Sequence, residues 1–384
     1  MVSGPGGDGD VLVTGMAWST ALGSKLDDVW QALLSGATGM APVPSAHPLR
    51  NDQAAVLPDL PVDLDPVRRQ LGAGSRTLRA AVSDAGLDIT DPQLRLVVGT
   101  SFGSHLDVPP DGLNLWGEAL ATELGLARRP LVVSTACSAG SDAIVVGAAL
   151  IGMGEEEICV VGGVDVLTPA KRLGHSALGT MSPTALRAFD ASHDGTILGE
   201  GAAFLVLEER RSAQARGARP RGRLAGVGSA NDATGPTAPD PSGDTVVRAV
   251  RAALAAAGRG TAEVGVLNAH GSGTPVNDDV ESRAFATAFA SREAAGAVTP
   301  VVFATKGAFG HTLGATGALE AVAVLLALRD GRVPPVPGLR TVMPGFPLPL
   351  PSGGVPLPFT GDLGLSVTIG FGGFTTCLAL EAPE

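Results

Sequence analysis

The chain has 384 residues, of which 45% are hydrophobic and 17% are charged, and its formal net charge is −11 at pH 7. This length predicts two domain-sized units with a large core. The acidic balance and the lack of a long basic cluster exclude nucleic acid as an expected partner.

Apolar runs and helical periodicity predict alternating strands and helices in the first half of the chain. Predicted strands cover residues 11–15, 94–99, 130–133, 158–166 and 201–208, and predicted helices cover residues 25–35, 76–85 and 143–151. Residues 40–66 are rich in Pro and Asp without a clear period, which predicts a loop. Gly162 and Gly163 are predicted to break their strand. The alternation is typical of an α/β layered domain.

The second half repeats this alternation. Predicted strands cover residues 223–228, 264–268, 301–304, 365–369 and 375–381, and predicted helices cover residues 244–257, 278–290 and 313–328. The repetition predicts a duplicated architecture, with halves at residues 1–209 and 210–384 whose reactive groups meet at one interface. His311 precedes a helix in the second half, roughly as Cys137 does in the first.

Cys137 lies between a predicted buried strand, residues 130–133, and a helix at residues 143–151 that is apolar on nearly every face. A thiol at such a junction faces the positive end of the helix dipole and unpaired backbone N–H groups. This position favours the thiolate and nucleophilic attack. A lone cysteine is more often a small apolar core residue, so the interpretation depends on partners elsewhere in the chain.

Three other stretches supply such partners. His270 follows a predicted strand among small residues, Lys306 and His311 precede a predicted helix, and the glycine turn at residues 370–373 presents open backbone N–H groups for an anion. Each histidine alone is better explained as a hydrogen-bonded structural residue. Together with Cys137 they predict acyl transfer, in which a thiolate takes an acyl group and two imidazoles stabilise an enolate or oxyanion.

The three cysteines and the lengths of the apolar runs indicate the cellular compartment. Cys137, Cys159 and Cys377 form no CxxC pair and are too few for a disulfide framework or a thiolate zinc site. The N-terminal residues are acidic and glycine-rich, unlike a signal peptide, and no apolar run reaches the roughly 20 residues of a membrane helix. We therefore expect a soluble cytoplasmic protein without a metal site or a membrane partner.

In order along the chain, these motifs resemble a β-ketoacyl synthase of the elongating type, a member of the thiolase-like superfamily. The residues that carry the resemblance are 11–15, 30–39, 135–140, 189–190, 194–195, 199–202, 270–274, 277–278, 281, 306–311, 314–315 and 370–373. They span nearly the whole chain. The resemblance implies an α/β fold with two duplicated halves in a layered αβαβα arrangement.

The resemblance also implies the reaction and its central residues. It implies a decarboxylative Claisen condensation in fatty-acid-like or polyketide biosynthesis, in which a malonyl-type extender attacks an acyl group on Cys137. His270 and His311 would support decarboxylation and stabilise the enolate. Lys306 would hold the electrostatics and geometry around His311.

Further roles are implied for residues around this set. The backbone N–H groups of Cys137 and Phe371 would form an oxyanion hole, and the Phe371 ring would act as a gate. Ser272 and Thr274 would bind the phosphopantetheine arm. The resemblance further implies that Glu200 and Glu281 organise the residues behind the site.

The resemblance implies an acyl carrier protein as partner, phosphopantetheine-borne substrates without a free cofactor, and a homodimer or a heterodimer with a related ketosynthase-like subunit. Several positions depart from the family pattern. Only 34 residues separate Thr100 from Thr135, fewer than the family uses for pocket walls and dimer contacts. His193 and Thr196 replace a usual arginine and aromatic residue, and His175 lies near a common aromatic position; an unusual acyl substrate is compatible with these changes.

Three alternatives remain open. Residues 136–140 also resemble the nucleophile elbow of an α/β-hydrolase with Ser138 as nucleophile, although no Asp then His order follows with suitable spacing. A non-catalytic helper subunit is the second alternative, against which the retention of Cys137, His270, His311 and Lys306 counts. The third is a thiolase-fold acyltransferase that moves a carrier-bound acyl group to an alcohol or amine without extension.

Overall fold

The computed structural model describes residues 10–101, 112, 114–290 and 298–383. The strands are β1 (Val11–Ser19), β2 (Met40–Pro42), β3 (Gln53–Ala55), β4 (Leu94–Gly99), β5 (Leu131–Val133), β6 (Ile158–Asp165), β7 (Gly201–Glu209), β8 (Gly222–Asn231), β9 (Val264–Asn268), β10 (Val301–Phe303), β11 (Arg332–Val333), β12 (Leu357–Pro358), β13 (Leu363–Ile369) and β14 (Phe374–Glu381). The helices are α1 (Leu26–Leu34), α2 (Pro66–Asp84), α3 (Leu115–Leu124), α4 (Ala139–Gly152), α5 (Pro169–Ala177), α6 (Arg210–Ala215), α7 (Asp244–Ala257), α8 (Pro275–Ala288), α9 (Lys306–Phe309) and α10 (Thr316–Asp330).

The main sheet has ten strands in the order β10-β9-β13-β14-β8-β1-β7-β6-β4-β5. From the centre outward, β1-β7-β6-β4-β5 and β8-β14-β13-β9-β10 follow the same plan. In each half the first two pairings are antiparallel and the last two are parallel. The halves join through a short antiparallel contact between β1 and β8.

Helices cover both faces of each half-sheet. Helices α2 and α3 pack on the outer face of the first half, α7 and α8 pack on that of the second, and α4 and α10 pack against each other between the halves. All residues of α10 from Thr316 to Leu328 are buried, because the helix is enclosed by both halves. This is the predicted layered αβαβα arrangement.

The two halves approach most closely at glycines. A Cβ atom on Gly140 would lie 2.7 Å from the Gly314 carbonyl oxygen, and one on Gly163 would lie 2.4 Å from the same oxygen. The predicted break of β6 at Gly162 and Gly163 is wrong, since the strand runs unbroken from Ile158 to Asp165. These glycines make room for a neighbouring backbone rather than a bend.

The approach to each half's central helix is built in the same way. The 3₁₀ turn Ala136–Ser138 leads into α4, and the 3₁₀ turn Leu313–Ala315 leads into α10. The first residue of each turn has a left-handed backbone, with φ of +53° at Ala136 and +49° at Leu313. In this correspondence the counterpart of Cys137 is Gly314. His311, which the sequence analysis expected roughly at that position, lies three residues before it.

Several predicted elements differ from the structure near the N-terminus. The predicted helix at residues 76–85 is the second part of α2, which begins at Pro66 because the Asp65 side chain accepts the Arg68 N–H and caps it. The predicted loop at residues 40–66 contains the short strands β2 and β3. The strand at residues 130–133 is not buried, since β5 ends the sheet and Leu131 is 40% exposed.

The shortened stretch between Thr100 and Thr135 is described only in part. It contains α3, which the sequence analysis did not predict. Residues 102–111 and 113 lie outside the described part of the chain, as do residues 1–9. The predicted acidic N-terminal segment and the turn after Thr100 therefore fall largely outside it.

Candidate active site

Cys137 lies in the 3₁₀ turn before α4 and is 4% exposed. It lines a cavity of about 260 Å³ between the halves. The neighbouring Ser138 does not line this cavity, and its hydroxyl lies within hydrogen-bond distance of two acceptors, Asp142 Oδ2 at 2.7 Å and the Thr135 carbonyl oxygen at 2.9 Å. The hydroxyl that the hydrolase alternative requires as a nucleophile is therefore engaged in structural hydrogen bonds.

Burial opposes the charged form of the Cys137 thiol. Burial raises its pKa to about 12, while the charge of Lys306 and the backbone N–H groups of Phe371 and Cys137 act in the lowering direction. The N–H groups at the helix junction therefore act as expected, in favour of the thiolate, but the loss of contact with water opposes them and is the larger effect. The two N–H groups of the expected oxyanion hole nevertheless both act on this sulfur.

His270 follows β9 and is 4% exposed. Its backbone N–H donates to Glu281 Oε1 at 2.7 Å, and the next N–H, from Gly271, donates to Oε2 at 2.7 Å. The amide of Asn277 donates to the same carboxylate at 2.8 Å. Burial, the largest cause, raises the pKa of Glu281 to about 8. Glu281 therefore positions the His270 backbone from behind and does not line the cavity.

His311 precedes the second 3₁₀ turn, and its ring lies 5.2 Å, centroid to centroid, from that of His270. The Leu313 backbone N–H donates to His311 Nδ1 at 3.3 Å. A ring nitrogen that accepts a hydrogen bond carries no proton, so the neutral ring holds its proton on Nε2. Burial, followed by the charge of Lys306, holds the pKa of both imidazoles well below the ordinary value.

Lys306 begins α9 and is 1% exposed. Its ammonium group donates to the His270 carbonyl oxygen and, at 2.7 Å, to Glu320 Oε1 on α10. Burial raises the pKa of Glu320 to about 7. The direct contact of Lys306 is therefore with the His270 backbone, and its positive charge acts on both imidazoles.

Sequence reasoning missed Glu320, although the sequence carried a signal. Glu320 stands alone in the apolar run of α10 and is 1% exposed. A buried carboxylate requires a cation or several donors.

A second buried ion pair links the site's two halves. Asp165 follows directly on the apolar part of β6, and its Oδ2 accepts the backbone N–H groups of Ser101 at 2.8 Å and Gly314 at 2.7 Å. Its Oδ1 accepts a hydrogen bond from the Lys171 ammonium group, which is equally buried. Asp165 fixes the turn after β4 to the turn before α10, and sequence reasoning missed it.

Glu200 lies apart from the cavity. Its carboxylate accepts the backbone N–H groups of Leu167 at 2.9 Å and Leu57 at 3.1 Å, and it pairs with the buried Arg69 guanidinium. It thus ties the segment after β6 to the segment after β3.

The structure places most of the predicted site residues around one cavity. Those that line it are Cys137, His270, Ser272, Thr274, His311 and Phe371. The hydroxyls of Ser272 and Thr274 lie 2.8 Å apart at the wall. Lys306 and Glu281 lie behind the imidazoles.

The departures from the family pattern occupy the same region. The imidazole of His175 stacks on the Phe371 ring with centroids 5.6 Å apart. Thr196 also lines the cavity. His193 Nδ1 lies 3.1 Å from Asp278 Oδ2, and this hydrogen bond, the largest cause, raises the pKa of His193.

Within residues 10–101, 112, 114–290 and 298–383, no group of three His, Cys, Asp or Glu side chains is arranged to hold a metal ion. In the same part of the chain, each helix is too short or too polar to cross a membrane.

The two half-sheets of the same strand order around a central pair of helices define the thiolase-like class. The family descriptions "Beta-ketoacyl synthase, N-terminal domain" and "Beta-ketoacyl synthase, C-terminal domain" match residues 113–213 and 221–340. A 3-oxoacyl-[acyl-carrier-protein] synthase 2 of Synechocystis sp. is 31% identical over 412 residues, which covers 97% of each chain. The chain belongs to the β-ketoacyl synthase family.

Solved structures agree with this assignment. The ishigamide ketosynthase/chain length factor superposes with a TM-score of 0.88 at 29% identity, over 98% of this chain and 99% of that one. A β-ketoacyl synthase from Burkholderia phymatum superposes with a TM-score of 0.86 at 29% identity, over 98% and 100% of the two chains. The predicted fold, the family and the acyltransferase class of enzyme are confirmed.

Proposed function

We propose that this chain joins an acyl group on Cys137 to a malonyl-type carrier thioester by decarboxylative Claisen condensation. One observation carries the proposal. A single cavity is lined by the Cys137 thiol, by the Phe371 turn whose N–H acts on that thiol, and by the imidazoles of His270 and His311. Such a set provides a nucleophile, an oxyanion site and two neutral hydrogen-bonding groups for an enolate.

In the first half-reaction the Cys137 sulfur attacks the carbonyl carbon of an acyl thioester. The carbonyl π electrons move to oxygen, and the backbone N–H groups of Cys137 and Phe371 stabilise that oxyanion. Its collapse breaks the bond to the carrier sulfur. The thiol proton is transferred to the departing carrier thiolate, so this step consumes no external proton.

In the second half-reaction the bond between Cα and the carboxylate of the malonyl thioester breaks and carbon dioxide leaves. Its electron pair forms an enolate, whose oxygen accepts hydrogen bonds from His311 Nε2–H and from His270. The enolate carbon attacks the Cys137 thioester and forms the new C–C bond. Collapse of the second oxyanion releases Cys137 as a thiolate, which takes one proton from solvent.

The carrier side of the cavity is formed by small polar residues. We propose that the Ser272 and Thr274 hydroxyls bind the phosphopantetheine arm of an acyl carrier protein. The name of the Synechocystis relative includes this carrier. The substrates then arrive covalently carried, and no free cofactor is required. Three unpaired and buried cysteines support a cytoplasmic location.

We also propose that the division into residues 1–209 and 210–384 reflects two duplicated halves, which the repeated strand order supports. Glu200 and Glu281 act in this proposal as organising residues. Glu281 holds the backbone N–H groups of His270 and Gly271, and Glu200 holds those of Leu57 and Leu167.

A second copy of this chain is the proposed partner at the β5 end of the sheet. Strand β5 is an edge strand, and the adjacent helix α4 leaves Val145, Val146 and Leu150 only partly buried. Met153 just after α4 is 67% exposed. The other edge strand, β10, is covered by a segment of the same chain, since the Val302 N–H donates to the Pro349 carbonyl oxygen at 2.9 Å.

Sedimentation velocity of the chain alone tests this partner. We expect a dimer, and we expect Ala149→Arg on α4 to give monomers, whereas Val355→Glu at a distant exposed site should leave the dimer intact. A monomeric wild-type chain that pairs only with a related ketosynthase-like subunit would replace the homodimer by the heterodimer suggested by the ketosynthase/chain length factor structure.

Intact-protein mass spectrometry tests the reaction. The wild type is mixed with an acyl carrier thioester and then with malonyl carrier, and both protein mass and carrier product are measured. We expect an acyl adduct on Cys137 that is discharged as a β-ketoacyl carrier thioester. Cys137→Ala should remain unacylated, and His270→Ala should be acylated without condensation.

Cys159→Ala is the matched control, because Cys159 is a buried thiol of β6 that does not line the cavity. Acylation of Cys137→Ala at another residue would refute the site assignment. Discharge of the adduct only to an alcohol, an amine or water would replace condensation by the acyltransferase or hydrolytic function.

A further inference from the structure

We propose that His175 and Thr196 form a hydrogen-bonding subsite in the wall of the active-site cavity. The subsite binds a substrate group that both donates and accepts a hydrogen bond, namely a hydroxyl or an amide. Both residues line the cavity together with Cys137, His270 and His311. The subsite serves the reaction proposed above, and its assignment rests on that function.

Thr196 supplies an unused hydroxyl. The residue is 2% exposed, and its Oγ1 atom has no hydrogen-bond partner in the described part of the chain. Its backbone is fully engaged, since the N–H donates to the Thr180 carbonyl and the carbonyl accepts the Ser182 N–H, both at 2.8 Å. A buried hydroxyl without a partner costs free energy. Because the Oγ1 atom itself is covered, a ligand in the cavity would remove that cost once the side chain turns about χ1 and brings the hydroxyl to the cavity wall.

His175 supplies an acceptor in the tautomer that satisfies both of its contacts with the Thr180 hydroxyl. The Thr180 hydroxyl donates to the His175 carbonyl oxygen at 3.1 Å and lies 2.9 Å from His175 Nδ1. Since that hydroxyl has only one proton, the contact with Nδ1 requires Nδ1–H as donor. The neutral ring then presents the lone pair of Nε2.

The ring is neutral because burial and the nearby Lys171 lower the pKa of His175 to about 4. Its position is also restrained, since it stacks on Phe371 at an interplanar angle of 23°. An acceptor of defined direction therefore lies beside the turn whose N–H acts on Cys137.

The donor and acceptor pattern selects the ligand chemistry. A hydroxyl or a secondary amide can donate to His175 Nε2 and accept from the Thr196 hydroxyl. A carboxylate only accepts and would meet the Nε2 lone pair, and an alkyl group would leave both groups unpaired. The ligand group belongs either to a hydroxylated acyl chain or to the amides of the pantetheine arm.

Binding of thioesters to the unreactive Cys137→Ala protein tests the subsite. Dissociation constants are measured by calorimetry for butyryl and 3-hydroxybutyryl groups, each as a pantetheine thioester and as an ethanethiol thioester that lacks amides. His175→Phe keeps the ring stacking but removes the acceptor, and His175→Gln restores an acceptor near Nε2. Thr196→Val removes the hydroxyl at nearly constant volume.

Thr14→Val is the matched control. Thr14 is also 2% exposed and its Oγ1 has no hydrogen-bond partner among the described residues, but it lies on β1 and does not line the cavity. The loss of one hydrogen bond corresponds to about 3- to 10-fold weaker binding. We expect that loss in His175→Phe and Thr196→Val, partial recovery in His175→Gln and no change in Thr14→Val.

The pattern across ligands identifies the source of the group. Weaker binding of only the 3-hydroxybutyryl thioesters assigns the subsite to a hydroxylated acyl chain. Equal weakening of both pantetheine thioesters, with the ethanethiol thioesters unchanged, assigns it to the arm. Unchanged binding of all four ligands in His175→Phe and Thr196→Val would overturn the subsite.

The same experiment separates the subsite from the proposed function. If the wild type with Cys137 intact is never acylated but the binding pattern holds, the function fails and the subsite stands. If acylation occurs and the binding pattern is absent, the subsite alone fails.

Discussion

The Lys306 ammonium group and the Glu320 carboxylate lie 2.7 Å apart, and each side chain is 1% exposed. We expect Glu320→Gln to destabilise the fold by about 3–5 kcal/mol, because it leaves a buried ammonium group without its counter-charge. The pair Lys306→Met with Glu320→Leu should be less destabilised than either charge-breaking single variant. Denaturant unfolding followed by circular dichroism measures both, and a single variant as stable as the wild type would contradict the pairing.

The neutral Cys137 thiol predicts how its alkylation depends on pH. Because burial raises its pKa to about 12, the rate with iodoacetamide should rise with every pH unit up to about pH 10. Cys159 and Cys377, which do not line the cavity, should stay unmodified and serve as internal controls in peptide mapping. A rate that reaches a plateau near neutral pH would show a thiolate and would contradict the prediction.

The tautomer of His311 predicts different effects of two amide substitutions. Gln places an N–H near the position of Nε2, whereas Asn places one near Nδ1, which accepts the Leu313 N–H. We expect His311→Asn to lower carbon dioxide release from a malonyl thioester by about 10²- to 10³-fold and His311→Gln to lower it less. Equal rates of the two variants would contradict a donor at Nε2, and ¹⁵N spectra of the imidazole provide an independent measurement.

The His193–Asp278 contact predicts a stability difference that depends on pH. Its hydrogen bond raises the pKa of His193 in the folded state, so the contribution is present below the unfolded pKa of about 6.5 and is lost as the pH rises through the folded pKa. The loss of unfolding free energy in His193→Asn should therefore be larger by about 1 kcal/mol at about pH 6 than at about pH 9. In an Asp278→Asn background this difference between the two pH values should disappear.

Close approach at Gly314 predicts that even a methyl group is not tolerated there. A Cβ atom would lie 2.4 Å from the Ser101 nitrogen and 2.6 Å from the Thr100 carbonyl carbon, both of which are backbone atoms. We expect Gly314→Ala to cost about 3 kcal/mol or more. Gly174→Ala on α5, where a Cβ meets nothing within 4 Å, should be neutral or stabilising.

Much of the fold could be predicted because its elements have local signatures. The predicted helix at residues 244–257 and strand at residues 264–268 have the bounds of α7 and β9. Their apolar periodicity is local and is bounded by glycine and polar residues. The start of α2 was missed because the glycines in its first turns weaken the helical pattern, although Asp65 caps it.

The site could be predicted as a set of residues but not as an electrostatic environment. Short glycine-rich motifs marked Cys137, His270 and His311 in the sequence. No such motif marks Glu320, the partner of Lys306, or Asp165, the partner of Lys171. The pKa of Cys137 depends on how completely the packed halves exclude water. That property belongs to the tertiary structure, so the local argument from the helix end gave the direction of one contribution to the pKa and missed the larger, opposite contribution of burial.

At Ala136 and Leu313, whose backbone is left-handed, the residue that gives the highest stability differs from the one that gives the highest activity. Glycine adopts this conformation without penalty, so glycine at either position would relieve about 1 kcal/mol of strain. The same Cβ atoms narrow the directions in which the chain can enter α4 and α10, and the neighbouring residues Cys137 and His311 line one cavity. A library selected for heat resistance should therefore enrich glycine at both positions, while one selected for turnover should retain the native residues.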